Sequence, residues 1–303
     1  MRYPSLSIRR LRLAILNLQL PRSFVSLAVA LFAVAWPSHA AYEVGGERQR
    51  DLERQLFVDA IDGSLDGHSL VEGALIAGGT VRTQALKEQL GRYDEIAEEL
   101  SASLDATQSD REKAYAIHAF LHDRVLRDYA SDASDVAKTL SSGVYNCVSA
   151  SVLFVALAEQ SGLKAHAVQL PEHVRCEVIA DGAAISIEMT SLNASTLRGS
   201  RKRTRMLNGV TLVATLYYNR GVAAFDHGDL TAAIKLNEIA VDLDPACRPA
   251  RENLLAAINN RVVELMKSDA KNDALQLLDR GLRIEPGYRP FQVNRAYLTQ
   301  KTL

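Results

Sequence analysis

One segment near the middle of the chain constrains the fold more than any other. Directly after Cys147, apolar side chains cover nearly every side of a helical wheel. They are Val148, Val152, Leu153, Phe154, Val155 and Leu157. A helix that is apolar all round is buried, because none of its sides favours water. Gly162 follows where helices commonly end, so we expect one buried helix enclosed by other elements.

Three short runs after this helix are rich in β-branched residues and nearly alternate between apolar and polar side chains: KAHAVQL, HVRCEVI and AAISIEMT. Such runs predict strands. Pro171 separates the first two runs. Asp181 and Gly182 separate the second pair, and Asp-Gly is a preferred two-residue hairpin turn. A buried helix on a small antiparallel sheet indicates the α+β class.

The region before the buried helix has helical patterns. Charged segments with thin apolar stripes fill 41–106, which we assign to a helical N-terminal extension. Ser109 and Glu112 then form an S-x-x-E capping box, which predicts the start of another helix. We place the α+β domain at 107–195.

Residues 1–40 have the pattern of a secretory signal peptide. Arginines precede the apolar run FVSLAVALFAVAW, and small residues at Ser38 and Ala40 indicate cleavage after Ala40. The apolar run has 13 residues, whereas a membrane-spanning helix needs about 20. We expect an exported protein, periplasmic or secreted, with no stable membrane span after cleavage. An uncleaved N-terminal anchor is the alternative.

The charge balance and the cysteines narrow the functional classes. Loss of residues 1–40 removes five of the 35 basic residues and no acidic one, which leaves 30 basic and 36 acidic residues and a net charge of −6. Nucleic-acid-binding domains are usually basic, so we expect no nucleic-acid partner. Three cysteines remain, and an odd number in an oxidising compartment leaves at least one thiol unpaired within the chain.

A polar and basic segment follows the predicted sheet. Five of the eight residues from Arg198 to Arg205 are arginine or lysine. We interpret 196–210 as a solvated linker. Docking of this segment onto an anionic polymer or a partner is the alternative.

A repeat occupies 211–300. Small, apolar and proline residues recur in two copies displaced by 41 residues. The first copy contains Tyr217, Gly221, Ala224, Ala233, Ala240 and Pro245, and the second contains Ile258, Leu265, Ala274, Gly281 and Pro286. Their offsets resemble those of tetratricopeptide repeats, which are pairs of packed helices. The resemblance implies an all-α array that binds a protein or peptide partner, and so few repeats need support from the preceding domain.

Cys147 lies at the predicted first turn of the buried helix, after Gly143 and Asn146. A helix N-terminus favours the thiolate form of a cysteine through its dipole and its free N–H groups. The same N–H groups are suited to donate to an oxyanion on an attacked carbonyl. Small residues from Ser149 to Ser151 leave room for a substrate beside the thiol.

A nucleophile also needs a base, and the base needs an orienting partner. If Asp181 and Gly182 form a two-residue turn, residue i pairs with residue 363 − i. His173 then faces Thr190, and Glu188 is its diagonal neighbour on the same face, within reach of a hydrogen bond. The prediction depends on turn length, since a one-residue change moves one of these side chains to the other face.

Cys147, His173 and Glu188 follow one another at intervals of 26 and 15 residues. With the segments REKAYAIHAFLHDRVL and TLSSGVYNCVSASVLFVALAEQSGL, this order resembles the bacterial transglutaminase-like superfamily, in particular members fused to tetratricopeptide repeats. The resemblance covers about 110–190 and the repeats. It implies a papain-like core, in which the helix that carries the cysteine packs on an antiparallel sheet that carries the histidine and the acid. Cys147 is then the nucleophile, His173 the base and Glu188 the third member.

Two positions depart from the family pattern. Glu188 stands where aspartate is commoner, and Arg175 stands where an aromatic or aliphatic residue is more usual. The predicted register also places Arg175 directly opposite Glu188. An ion pair between them would compete with His173 for the carboxylate.

Other interpretations of these residues stay open from the sequence. In these interpretations, Cys147 is an ordinary buried thiol or forms a disulfide with Cys176. His173 is a surface histidine at a strand end, and Glu188 is a simple salt-bridge partner. Three further histidines are expected to be structural: His118, His122 and His166. No spacing of histidine, cysteine and acid indicates a metal site, and we expect no cofactor and no metal.

The sequence favours an exported cysteine acyl-transfer enzyme, either a peptidase or amidase or a transglutaminase-like protein, that acts on a peptide or protein amide. The repeats would recruit a protein partner or substrate. The competing hypothesis is a non-catalytic scaffold, in which an inactive transglutaminase-like domain is joined to a helical adaptor. The sequence does not choose between water and an amine as the acyl acceptor, and it predicts no oligomeric state.

Overall fold

The computed structural model describes residues 47–194 and 204–300. Within these ranges the chain combines helices with a small antiparallel sheet, so the α+β class is confirmed. The predicted signal peptide, 1–40, lies outside the described residues. The described part begins with four helices: α1 (Glu47–Ala60), α2 (Leu70–Gly78), α3 (Thr83–Ser103) and α4 (Asp110–Arg124). Helix α4 starts with the predicted capping box, in which Ser109 and Glu112 each accept a backbone N–H of the other.

Short elements lead from α4 to the central helix and the sheet. They are β1 (Asp128–Tyr129), α5 (Val136–Ser142), β2 (Val144–Tyr145), α6 (Cys147–Gln160), β3 (Lys164–Leu170), β4 (His173–Ala180), β5 (Ala183–Ile187) and β6 (Arg205–Leu207). Strands β1 and β2 form a two-stranded parallel pair. The rest of the described chain is helical: α7 (Gly209–Asp226), α8 (Leu230–Leu243), α9 (Arg248–Lys267), α10 (Lys271–Ile284) and α11 (Arg289–Gln300).

The larger sheet has the strand order β5-β4-β3-β6, and every neighbouring pair is antiparallel. Strands β4 and β5 form the predicted hairpin, because Ala180 pairs with Ala183 across the two-residue turn. Asp181 and Gly182 both have positive φ, 55° and 78°, as a type I′ turn requires. The register therefore pairs residue i with residue 363 − i, as predicted.

Helix α6 is enclosed by other elements, as its composition predicts. It contacts strands β3 and β4 and helices α2, α4, α5 and α7. The face of β4 that carries Val174, Cys176 and Val178 is buried, and the Cys176 thiol contacts the carbonyl of Ser151 in α6. This face of the sheet therefore packs on α6. Arg175, Glu177 and Ile179 alternate with these residues and belong to the other face.

Part of the predicted linker is a strand. Residues 205–207 form β6, which pairs with β3 at the edge of the sheet. The prediction of a linker over 196–210 is therefore wrong for its C-terminal part. Of the three residues of β6 only Leu207 is fully buried, and its neighbours are polar or exposed. A three-residue strand with one buried side chain is too short to show a period in the sequence. The rest of the basic segment, through residue 203, lies outside the described residues.

Helices α7 to α11 pack on one another in chain order, each on the next. Residues of the predicted repeat lie at these contacts, and Ala233, Ala240 and Ala274 are fully buried. Helix α7 also packs on α2 and α6, so the helical array rests on the preceding domain. Glu53 of α1 contributes to this junction, with its carboxylate oxygens 3.6 Å from Arg220 and 3.5 Å from Lys235.

A second connection joins the sheet to the array. Nη1 and Nη2 of Arg205 in β6 donate to the two carboxylate oxygens of Asp244 at 2.6 and 2.5 Å, at the end of α8. Asp244 is buried, so its removal leaves a partly buried guanidinium without its acceptor.

Replacing Asp244 with asparagine is expected to lower the free energy of unfolding by about 2 kcal/mol, the usual size for hydrogen bonds to charged groups. Urea unfolding followed by circular dichroism measures this loss. The matched control is Glu252→Gln, which breaks an exposed pair with Arg248 and is expected to change stability by less than about 0.5 kcal/mol. Equal effects of the two changes would contradict a stabilising role for the Arg205–Asp244 pair.

No helix among residues 47–194 and 204–300 is both long enough and apolar enough to cross a membrane.

Candidate active site

Cys147 is the first residue of α6, directly after the cap residue Asn146. The side-chain oxygen of Asn146 accepts the N–H groups of Val148 and Ser149 at 2.8 and 3.1 Å, and the Ser149 hydroxyl accepts the N–H of Asn146. The Asn146 amide also donates to the carbonyl of Ser131. These bonds hold the thiol at the start of the helix, where the dipole favours an anion. The Cys147 residue is 6% exposed.

The Asn146 cap limits which N–H groups of the first turn are available to an oxyanion. Two first-turn N–H groups, those of Val148 and Ser149, already donate to Asn146, so they are not free for an oxyanion. The N–H of Cys147 is the one in this turn that Asn146 does not cap. An oxyanion formed at the thiol would therefore receive its helix-derived hydrogen bond from Cys147 itself.

His173 begins β4 and lies between the thiol and a carboxylate. Its Nε2 is 2.9 Å from Oε2 of Glu188, and the side chain of Cys147 is close enough to the ring to raise the pKa of His173. Since Nε2 is engaged by Glu188, Nδ1 is the nitrogen that can face the thiol. The three predicted residues therefore lie together, although Cys147 is on a helix and the others are on the sheet.

The charge state of His173 follows from these contacts. Burial by itself lowers the pKa of His173, but its interaction with Cys147, its hydrogen bond to Glu188 and the charges of those groups outweigh burial and raise the pKa to about 10. At neutral pH the imidazole is therefore protonated. An imidazolium beside a thiol favours the thiolate, as in other reactive cysteines.

Glu188 follows the end of β5 and is 4% exposed. Besides His173, its carboxylate accepts the N–H and the hydroxyl of Thr190 at 2.9 and 2.5 Å, both on Oε1. Burial raises the pKa of Glu188, but the hydrogen bond and charge of His173 and the bonds from Thr190 lower it more, so its pKa lies below the ordinary value. Glu188 is therefore ionised and oriented toward the imidazole, on the diagonal that the register predicts.

Arg175 does not pair with Glu188, so the predicted competition for this carboxylate is wrong in the structure. Its Nη2 donates to Glu177 at 2.7 Å, in the opposite direction along β4 from His173. The carboxylate of Glu188 is already occupied by His173 and Thr190. The two opposed side chains therefore lean apart although their backbones face each other.

All three cysteines are free thiols. The disulfide between Cys147 and Cys176 that the sequence leaves open is therefore not formed. Burial raises the pKa of Cys176 to about 12 and also raises the pKa of Cys247. Only Cys147 is placed beside an imidazolium, so it is the candidate nucleophile.

His118 contributes to the site in a way that the sequence does not indicate. It is buried in α4, and its Nε2 lies 3.1 Å from the carbonyl of Glu188 and 2.9 Å from that of Ser191. A single ring nitrogen thus fixes the backbone on both sides of the Glu188–Thr190 turn. Burial lowers the pKa of His118 and lowers that of its neighbour His122 to about 4, so both rings are neutral.

His166 lies elsewhere on the sheet, with its Nε2 3.5 Å from Glu177. No group of three histidine, cysteine or acidic side chains within the described ranges is arranged to hold a metal ion.

The pKa of His173 can be measured directly. A chemical-shift titration of the His173 ring between pH 5 and 11 is expected to show a midpoint near 10 in the wild-type protein. In Glu188→Gln the midpoint should fall, because a neutral amide no longer stabilises the imidazolium. His173→Gln identifies the resonance. A wild-type midpoint near 6.5, the ordinary value for histidine, would contradict the described contacts.

The arrangement supplies the parts of nucleophilic catalysis by a cysteine: a thiol at a helix N-terminus, a base in contact with it and an ionised carboxylate that orients the base. No protein-family model, curated protein or solved structure matches the chain.

Proposed function

We propose that this protein is an exported cysteine acyl-transfer enzyme that acts on a peptide or protein amide. The observation that carries the proposal is that His173 lies between Cys147, at the start of α6, and Glu188, with which it forms a hydrogen bond of 2.9 Å. Two facts from the same site support it. The imidazole is charged at neutral pH, and the carboxylate behind it is fixed by Thr190.

The chemistry follows from these protonation states. The Cys147 thiolate attacks the amide carbonyl carbon, and the charge moves to the carbonyl oxygen, near the N–H of Cys147. The His173 imidazolium then gives its proton to the amide nitrogen, the C–N bond breaks and the amine leaves. A thioester on Cys147 remains. Water or a second amine next attacks this thioester, His173 takes the proton, and the acid or new amide departs as the thiolate re-forms.

The fold is proposed to be papain-like, with a transglutaminase-like core and a tetratricopeptide array. The contact of α6 with β3 and β4 supports the first part, since the helix bearing the cysteine packs on an antiparallel sheet that bears the histidine. Consecutive packing of α7 to α11, with buried small residues, supports the second. The array is proposed to bind a protein or peptide partner, which delivers substrate to the thiol. Export rests on the pattern of residues 1–40.

Labelling with a peptide acyloxymethyl ketone tests the proposal, because such probes react with cysteines that carry out acyl transfer. The wild-type protein is expected to be labelled at Cys147, as located by peptide mapping. Cys147→Ala should lose the label, and Glu188→Gln should be labelled more slowly. Cys247→Ala is the matched control and should label as the wild type does, since Cys247 is a buried thiol in the helical array.

A non-catalytic scaffold is the second candidate, and the low exposure of Cys147 favours it. In that case Cys147 would resist the probe in the folded protein and react only after unfolding. That result would overturn the enzyme proposal.

A further inference from the structure

Arg175 lies close to the candidate active site along the sheet. His173 and Arg175 are two residues apart in β4, so their backbones are about 7 Å apart. Extending the β4–β5 pairing by one residue beyond Cys176–Ile187 places Arg175 opposite Glu188. The backbone of Arg175 therefore lies next to that of His173 and opposite that of Glu188.

The hydrogen bonding of Arg175 is incomplete. Its side chain is 9% exposed, and Nη2 donates to Glu177. Among the described residues, Nε and Nη1 have no hydrogen-bond partner although both atoms are buried. These two nitrogens carry three hydrogens. Buried donors without an acceptor are rare in proteins and indicate a missing water, ion or ligand.

The neighbouring carboxylates do not fill this gap. Glu188 is engaged by His173 and Thr190. Glu177 is shared between Arg175 and His166, whose Nε2 is 3.5 Å away. The free donors of Arg175 therefore suit an acceptor that the chain itself does not supply, and a guanidinium matches a carboxylate better than any neutral group.

We propose that Arg175 is a specificity-determining residue that binds a free carboxylate of the peptide substrate of Cys147. The inference rests on the proposed acyl-transfer function. The carboxylate belongs either to an acidic side chain or to a chain terminus beside the scissile amide. A neutral substrate leaves the buried donors unpaired, so it is rejected for the same reason that sites built for a polar group reject its apolar analogue.

The row of Arg175 in the sheet reaches solvent at its β6 edge, while Arg175, Val168 and Glu188 are themselves buried. Val168 of β3 pairs with Arg175 on one side and with Met206 of β6 on the other. Met206 is 66% exposed, and its unbranched thioether adapts to irregular surfaces. A peptide that enters over β6 therefore meets an apolar contact before its carboxylate reaches the guanidinium.

Matched pairs of alkylating probes test this inference. In the first pair, N-iodoacetyl-glutamic acid α-amide is compared with N-iodoacetyl-glutamine α-amide, which differ only in a side-chain carboxylate. In the second, N-iodoacetyl-glycine is compared with N-iodoacetyl-glycinamide, which differ only in a terminal carboxylate. The readout is the ratio of the two labelling rates at Cys147 within each pair, which does not depend on the amount of folded protein. The pair with the larger ratio identifies the source of the carboxylate.

We expect a ratio of about tenfold or more for one pair in the wild-type protein, as a charge-assisted hydrogen bond allows. Arg175→Gln should bring that ratio down several-fold, and Arg248→Gln, at an exposed ion pair, should keep it. Glu177→Gln should raise it, because the competing carboxylate is removed; a purely structural role of Arg175 would not produce this rise. Ratios below about two in the wild type, or a ratio unchanged in Arg175→Gln, would overturn the inference and leave the reactive thiol intact. Failure of all four probes to label Cys147 would overturn the proposed function and this inference with it.

Discussion

Replacing His173 with alanine is expected to slow alkylation of Cys147 by iodoacetamide at pH 6 by about tenfold or more. An ordinary cysteine has a pKa of about 8.5, so only about 0.3% is thiolate at this pH. The pKa of His173 is raised to about 10, so its ring is protonated at this pH, and an imidazolium beside a thiol favours reaction through the thiolate. A stabilised thiolate is also a weaker nucleophile, so the expected factor is about ten.

Peptide mapping by mass spectrometry assigns the rate to Cys147 rather than to Cys176 or Cys247. His68→Ala is the matched control, because Nδ1 of His68, which lies between α1 and α2, is 2.9 Å from Asp59 of α1. The distance between His68 and Asp59 equals that between His173 and Glu188. The loss of the His68 ring should nevertheless leave the alkylation rate of Cys147 unchanged. Equal rates in the wild type and in His173→Ala would show that the imidazole does not activate the thiol.

Replacing Gly143 with alanine is expected to lower the free energy of unfolding by about 3 kcal/mol or more. Gly143 has φ of +77° at the end of α5, and a non-glycine residue in this region costs about 1–2 kcal/mol. A Cβ there would also lie 2.6 Å from Cγ of Arg127 and 2.7 Å from the carbonyl of Val125. Forcing such overlap costs about 1–3 kcal/mol more. The short segment from Gly143 through β2 leads directly to Cys147, so the change should also reduce labelling of the thiol.

Gly63→Ala separates the two causes of this effect. Gly63 has φ of +96°, but nothing lies within 4 Å of a Cβ added there. Gly63→Ala should therefore lower the free energy of unfolding only by the cost of the backbone conformation, about 1–2 kcal/mol. It should leave labelling of Cys147 unchanged. Chemical unfolding measures both losses. A cost at Gly143 no larger than that at Gly63 would show that the loop before Cys147 yields easily.

Much of the fold near the site follows from short patterns. The apolar run after Cys147 predicts the enclosed helix, because only a buried position suits such a surface. The Asp181–Gly182 turn sets the register of β4 and β5, and the register alone brings His173 and Glu188 to one face. These features depend on local chemistry and on the period of two in a strand, both of which are visible in a sequence.

Other features depend on contacts between distant residues, which no local pattern encodes. Glu188 accepts hydrogen bonds from His173 and Thr190. It does not pair with Arg175, which donates to Glu177 instead, although the register places Arg175 directly opposite Glu188. His118 reaches the backbone beside Glu188 from α4, 70 positions earlier in the chain. The edge strand β6 is recognised by its pairing with β3 and not by its composition.

The role of Asn146 can be predicted from the sequence only in part. Its position before a helix suggests a cap from the sequence alone. The sequence does not show that the cap uses N–H groups that an oxyanion would otherwise receive. That consequence requires the geometry of the first turn, and it moves the expected oxyanion contact to the N–H of Cys147.

We propose that Cys147 forms and releases an acyl group with the help of His173 and Glu188. Pre-steady-state hydrolysis of p-nitrophenyl acetate separates these two steps, since nitrophenolate release reports acylation and the later steady rate reports deacylation. We expect a burst of about one equivalent per protein followed by slow turnover. The burst should be absent in Cys147→Ala, and turnover should be slower in Glu188→Gln. A folded wild-type protein that gives no burst, while the unfolded chain reacts as a free thiol does, would show that Cys147 does not have this role.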